Sequence, residues 1–229
     1  MSSRPTAVVT GASRGIGRAT ARRLAERYDI VALARTTEAL ATLAAEIERA
    51  GGKCRPVTAD LADSVAVERA LAGVEADVLV NNAGIITLKP FLEIAPAEWR
   101  QMMDVNLTAI YTATRALLPG MIARRGGFIV MVGSLAGRYT FAGGTGYTAT
   151  KHGVIGFAES LMLEVREHNV RVTTIMPGSV DTKGLDGAGD RSWMLKTADV
   201  AEAVWYAVTQ PENALISRIE MRPAMPGKK

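Results

Sequence analysis

The chain has one cysteine in 229 residues, Cys54. An internal disulfide is therefore impossible, and a reducing compartment suits the chain. With no evident partner, Cys54 is expected to pack as a small apolar side chain. No stretch reaches the roughly 18 apolar residues of a membrane span. The opening MSSRPTAVVTGAS carries too short an apolar run for a secretory leader, so a cytoplasmic location is expected. Lysine-arginine tracts and aromatic-basic stripes are missing too, and the formal charge is only +4. Nucleic acid is thus a poor candidate partner. The basic ending GKK reads as a frayed tail. No internal repeat and no Pro/Ser-rich linker divides the chain, and a single domain over 1–229 is expected. No metal site is expected.

What the sequence does contain is alternation. Hydrophobic residues make up 48 % and charged residues 22 %, the balance of a folded chain long enough for a substantial core. Short β-branched runs, TAVVT (6–10), IVALA (30–34), CRPVTA, DVLVN, GGFIVMVGS, VRVTTIMP (170–177) and RIEM, alternate with helical patterns. The helices are expected over 15–28, 37–51, DSVAVERALAGV, a long stretch from Pro96 to Arg125, 146–168 and near 197–210. Gly51 and Gly126 stand where helices stop, and Arg124 and Arg125 suit a helix C-terminal dipole. Continuous apolar strands separated by helices imply a doubly wound α/β domain with a parallel sheet. Ligands of such sheets bind at the carboxyl ends of the strands.

Those ends carry the informative residues. After the first strand comes TGASRGIG, with Thr10, Gly11, Gly15 and Gly17. Glycines allow close backbone approach, and the helix that follows offers free amide groups to a phosphate. At the end of strand 2 an NAD site wants an acid for the ribose hydroxyls. Ala34 stands there instead, followed by Arg35, and Arg14 lies in the glycine loop. Two guanidinium groups suit a 2′-phosphate and favour NADP(H). Strand 3 leads to Asp60, a candidate acceptor for the adenine amino group. Strand 4 leads to Asn81, Asn82 and Gly84, strand 5 to Ser134, and strand 6 to Pro177, Gly178, Val180 and Thr182. Tyr147 is followed four residues later by Lys151, one helical turn away. An ammonium beside a phenol would lower its pKa toward neutrality. Ser134 could stabilise charge developing on a carbonyl oxygen.

In their order and spacing these motifs resemble the short-chain dehydrogenase/reductase family over nearly the whole chain. The resemblance rests on Thr-Gly-x-x-x-Gly-x-Gly at 10–17, Asp60, Asn-Asn-Ala-Gly at 81–84, Asn106, Ser134, Tyr147-x-x-x-Lys151 and Pro177-Gly178. It implies a seven-stranded Rossmann-type sheet and a catalytic tetrad of Asn106, Ser134, Tyr147 and Lys151. In such a tetrad Asn106 anchors a relay water and Lys151 also holds the nicotinamide ribose. The implied cofactor site adds Ser13, Ile16, Leu61 and Ala83 to the residues above, with Val180 and Thr182 on the nicotinamide side. A carbonyl or alcohol substrate and a homodimer or homotetramer are implied as well. The apolar arc of the helix over 146–168 (Val154, Ile155, Phe157, Ala158, Leu161, Met162, Val165) would supply the subunit contact. A short substrate lid is expected at about 178–197, with Trp193, Met194 and Leu195 as a possible apolar wall. The ending AVWYAVTQPENALISRIEMRPAMP looks more like the branch of NADP-dependent serine and 3-hydroxy acid dehydrogenases than like fatty-acid-type ketoreductases. Two alternatives stand beside an NADPH-dependent ketone reductase: an NAD-linked alcohol dehydrogenase, and a non-catalytic dinucleotide sensor on the same fold.

Overall fold

In the computed structural model, which describes residues 4–182 and 190–225, the apolar runs pair into one parallel sheet. Its strands are β1 (Thr6–Thr10), β2 (Asp29–Ala34), β3 (Cys54–Thr58), β4 (Val78–Asn81), β5 (Gly127–Val132), β6 (Val170–Pro177) and β7 (Arg218–Met221). They lie in the order β3-β2-β1-β4-β5-β6-β7. The helices are α1 (Gly15–Leu24), α2 (Thr37–Arg49), α3 (Ser64–Leu71), α4 (Pro96–Met103), α5 (Ala109–Ala123), α6 (Thr145–Val165) and α7 (Thr197–Val208).

Successive strand residues point to opposite faces, and both faces are covered. Val9 and Ala32 join Leu24, Leu40, Leu43 and Val204 under α1, α2 and α7. Val8, Val31 and Leu33 join Val67, Leu71, Leu117 and Val154 under α3, α5 and α6. This two-sided burial is why the strands read as unbroken apolar runs. Strands β1 to β3 build outward in one direction. β4 then returns to the free side of β1, with Val8 opposite Leu79. The chain reverses there, and a crevice opens above the ends of β1 and β4.

Several element ends differ from the sequence pattern. α1 stops at Leu24, because Asp29 must already pair with Thr6. α2 stops at Arg49, and Gly51 takes φ +83° just beyond it. The long helix after Pro96 is interrupted by a π-helical turn over Asp104–Thr108, in which the Ala109 amide bonds to the Asp104 carbonyl. It ends one residue earlier than Gly126 suggests. Arg125 takes the left-handed conformation (φ 49°). The Gly126 amide reaches Met121 O at 3.1 Å and the Arg125 amide reaches Ile122 O at 3.0 Å, which is a Schellman closure. Arg124 and Arg125 do not serve their own helix end; they donate to Ala76 O and Glu167 O. α6 ends at Val165 in a 3₁₀ turn over Arg166–His168, with Asn169 left-handed. On its predicted arc Val154, Ala158, Leu161 and Val165 are buried, while Ile155, Phe157 and Met162 are half-buried.

The GKK tail and glycines 184, 187 and 189 of the expected lid lie outside the described residues. Among the described residues no helix is long and apolar enough to cross a membrane. The Cys54 thiol is half-buried, and burial raises its pKa to about 11, which leaves it inert at neutral pH.

Candidate active site

The crevice over the strand ends is a cleft of about 1340 Å³. Every residue expected at the cofactor or the chemistry lines it except Thr10, Gly17, Asn81 and Asn106. Those four are buried behind the surface and hold it in shape.

Thr10 ties β1 to β4. Its Oγ1 accepts the amides of Asn82 (3.0 Å) and Ala83 (3.2 Å) and donates to Val80 O at 3.3 Å. Asn82 answers with Nδ2 on Thr10 O at 2.9 Å. Asn81 does not face the cleft; its Nδ2 donates to Thr114 Oγ1. Gly11 turns the chain at φ +68°. A Cβ on Gly17 would stand 2.3 Å from Gly11 O, so only glycine lets α1 approach this closely. No side chain caps the start of α1. Its first amides and its positive dipole end therefore face the cleft unanswered, as an anion site needs.

The end of the cleft at β2 and β3 is cationic. Ala34 is buried where an acid would stand, and Arg14 and Arg35 are exposed on the cleft. Neither guanidinium has a hydrogen-bond or ion-pair partner among the described residues. Asp60 lies exposed on the same wall, its Oδ1 accepting the Ala62 amide at 3.0 Å, and Leu61 is buried beside it. The glycine cradle, the open helix end and the two guanidiniums fit a phosphorylated dinucleotide.

At the other end, Ser134 follows β5 and Tyr147 sits in the first turn of α6. They share a hydrogen bond, and the Ser134 Oγ also accepts the Ala136 amide at 3.1 Å. Lys151 is 4 % exposed. Its ammonium donates to Val132 O at 3.0 Å and lies 5.9 Å from the centre of the Tyr147 ring. Burial lowers its pKa to about 8. Burial raises the Tyr147 pKa, and the Ser134 bond offsets only part of that. The lowering expected from Lys151 does not contribute here; the Ser134 bond is what lowers the phenol, and burial outweighs it.

Asn106 is fully buried in the π turn. Its Oδ1 accepts the Ile85 amide at 2.8 Å, and its Nδ2 donates to Ile85 O at 2.9 Å and Thr150 Oγ1 at 3.1 Å. It thereby joins the β4 loop to the helix that carries Tyr147 and Lys151. A Cβ on Gly84 would lie 3.5 Å from Asn106 Oδ1 and 3.8 Å from Lys151 Nζ, which shows how closely these groups converge.

The sequence model of the short chain dehydrogenase family matches residues 5–192. The chain belongs to the short-chain dehydrogenase family. This short-chain dehydrogenase, an oxidoreductase by family, is 36 % identical to the NADP-dependent 3-hydroxy acid dehydrogenase YdfG of Salmonella typhi, with 94 % of each chain covered. It is 32 % identical to the serine 3-dehydrogenase of Agrobacterium fabrum, covering 95 % of this chain and 93 % of that one. Among solved structures, a metagenomic short-chain oxidoreductase in complex with NADP superposes with a TM-score of 0.87 at 38 % identity, covering 98 % of this chain and 99 % of the other.

Of the expected apolar wall, the short-chain dehydrogenase presents only Trp193 to the cleft. Met194 is buried, and Leu195 is fixed by its amide on Ser179 O and its carbonyl on the Asp181 amide. Residues that sequence reasoning did not single out also line the cleft, among them Ile86, Tyr139, Phe141 and Arg222. Arg222 could have been found, since it directly follows the last strand.

Proposed function

We propose that the chain is an NADPH-dependent reductase that converts a ketone or 3-oxo compound to its alcohol, reversibly. The observation that carries this reading is the meeting of Ser134, Tyr147 and buried Lys151 at one end of the cleft. The cofactor is NADP(H): the unpaired Arg14 and Arg35 would hold its 2′-phosphate, Asp60 its adenine, and the amides of Gly15 and Ile16 its pyrophosphate. The other cleft-lining residues from Asn82 to Gly84 and from Pro177 to Thr182 flank its nicotinamide half. When bound, it supplies the hydride to the carbonyl carbon.

The side chains handle the oxygen. Ser134 donates a hydrogen bond to it, and the Tyr147 hydroxyl gives it a proton. With its pKa raised, Tyr147 starts the reduction protonated. The alkoxide is far more basic than the phenol, so the proton moves downhill. A phenolate left in a half-buried site would be costly without a cation nearby. With a pKa of about 8, Lys151 is mostly charged at neutral pH and offsets that charge. Asn106 keeps the β4 loop and α6 in register, and family likeness adds a water-anchoring role. The reading also includes a single catalytic domain, a lid over about 178–197 with Trp193 over the substrate, and a cytoplasmic location. It includes a homodimer or homotetramer as well, with the half-buried Ile155, Phe157 and Met162 of the α6 arc at a subunit contact.

A carbonyl panel followed by NADPH absorbance, run with both cofactors, tests the reading. Turnover with NADPH above NADH is expected, and Tyr147→Phe should lose at least about 100-fold in kcat while NADPH binding persists. Full activity in that variant refutes the mechanism. Tight NADPH binding without any turnover would favour a dinucleotide sensor, and equal use of NADH would remove the role of Arg35.

A further inference from the structure

We propose that Arg222 anchors a carboxylate on the substrate and makes the enzyme selective for short oxo and hydroxy acids over neutral ketones; this rests on the reductase reading above. Arg222 lies beyond residues 5–192, the part matched by the family model.

Its place follows from the sheet. β7 ends at Met221, which pairs with Pro177, and the Gly178 amide bonds to Met221 O at 2.8 Å. Arg222 therefore emerges at the same carboxyl edge as Ser134 and lines the same cleft. Adjacent strands stand about 4.8 Å apart, so β7 is on the order of 10 Å from β5 and 24 Å from β2. Arg222 thus serves the reacting end, and Arg14 and Arg35 the opposite end. The distance from β5, partly spanned by a long side chain, leaves room for roughly three or four carbons.

The guanidinium is held and free at once. It lies 4.9 Å from the centre of the Tyr139 ring. Tyr139 is tied by its amide to Leu135 O at 2.9 Å, immediately after Ser134. Glu220 shares its side of the strand by period two, but Arg138 occupies it with a 2.5 Å bond. Arg222 itself has no hydrogen-bond or ion-pair partner among the described residues. Of the described side chains lining the cleft, the only acid is Asp60, beyond β3 at the far end. Lys151 is engaged with Val132 O. Arg222 is exposed, and the cleft it lines also carries Ile86, Phe141, Trp193 and Met225. A planar guanidinium over an aromatic ring suits a bidentate bond to a carboxylate.

The test compares 3-oxobutanoate with its ethyl ester in the full chain with NADPH, in wild type, Arg222→Gln and Arg222→Lys. Arg222→Gln should lose about 10- to 100-fold in kcat/KM for the acid, mainly through KM, and leave the ester nearly unchanged. Arg222→Lys should fall between. Equal losses on acid and ester, or none on either, overturn the proposal. Calorimetric titration of 3-hydroxybutanoate into the NADP⁺-saturated protein gives a readout independent of turnover. Binding in wild type that weakens in Arg222→Gln supports the anchor; no binding, or equal binding, overturns it. Acid binding through Arg222 without turnover would defeat the reductase reading alone. Turnover indifferent to the acid would defeat the anchor alone.

Discussion

Replacing Lys151 by methionine keeps much of the side-chain volume and removes a charge that is almost wholly out of water. The fall of its pKa from 10.5 to about 8 comes from burial. At about 1.4 kcal/mol per tenfold change in proton affinity, that shift means the buried ammonium destabilises the fold by about 3 kcal/mol. Losing its bond to Val132 O costs about 1 kcal/mol in return. The variant should therefore be more stable by about 2 kcal/mol at pH 7, which is about 4–8 °C in Tm for a chain of this size. The pH dependence has a definite sign. Below pH 8 the folded and unfolded lysines are both protonated, and the full destabilisation is present. Between about 8 and 10.5 only the unfolded lysine keeps its proton, so the wild type gains stability as pH rises. Above that window the advantage of the variant disappears. Thermal unfolding of both proteins from pH 6 to 11 measures this, with kcat in parallel, which should drop at least about 100-fold. A variant less stable than wild type at pH 7, or a difference indifferent to pH, would refute the reasoning.

Arg35→Ala should raise the Kd for NADPH about 10- to 100-fold and leave NADH nearly unchanged; fluorescence titration with both dinucleotides reads it, and parallel losses would remove the 2′-phosphate assignment. Gly17→Ala places a Cβ 2.3 Å from Gly11 O. It should destabilise the chain by about 1–3 kcal/mol in urea unfolding and weaken dinucleotide binding, and an unaffected midpoint would show that the loop yields freely.

The strands were legible because they are buried on both faces, so apolar character alone marks VLVN and GFIVMV. Their ends were legible for a related reason: glycines and polar residues follow directly where the cleft needs them. Tyr147 and Lys151 were found by spacing, but their ionisation was not. Whether an ammonium lowers a phenol depends on how much water each has lost, and only the packing of α6 against β5 reveals that. Asn106 was placed on one continuous helix, since hydrogen-bond offsets leave no mark in composition. Thr10 was assigned to the ligand, although its hydroxyl is spent on β4, because a strand-end residue cannot be told from a surface one without knowing which strand lies beside it. Arg222 carries no motif of its own, and only the pairing of the last strand with β6 brings it to the cleft.

The π-helical turn at Asp104–Thr108 has a consequence for the phase of the helix. Each residue advances an α-helix by about 100°, so one residue accommodated without lengthening the ladder rotates everything after it by that angle. Before the turn, Met102 points toward α6 and fills the space over Gly146. After it, Ala113 and Leu117 point into the core shared with α3. One rod therefore addresses two different neighbours, and Asn106 sits at the change of phase, where its amide can meet a loop and a third helix together. Straightening the turn into an ordinary helix with every residue kept would turn each downstream side chain to the wrong partner.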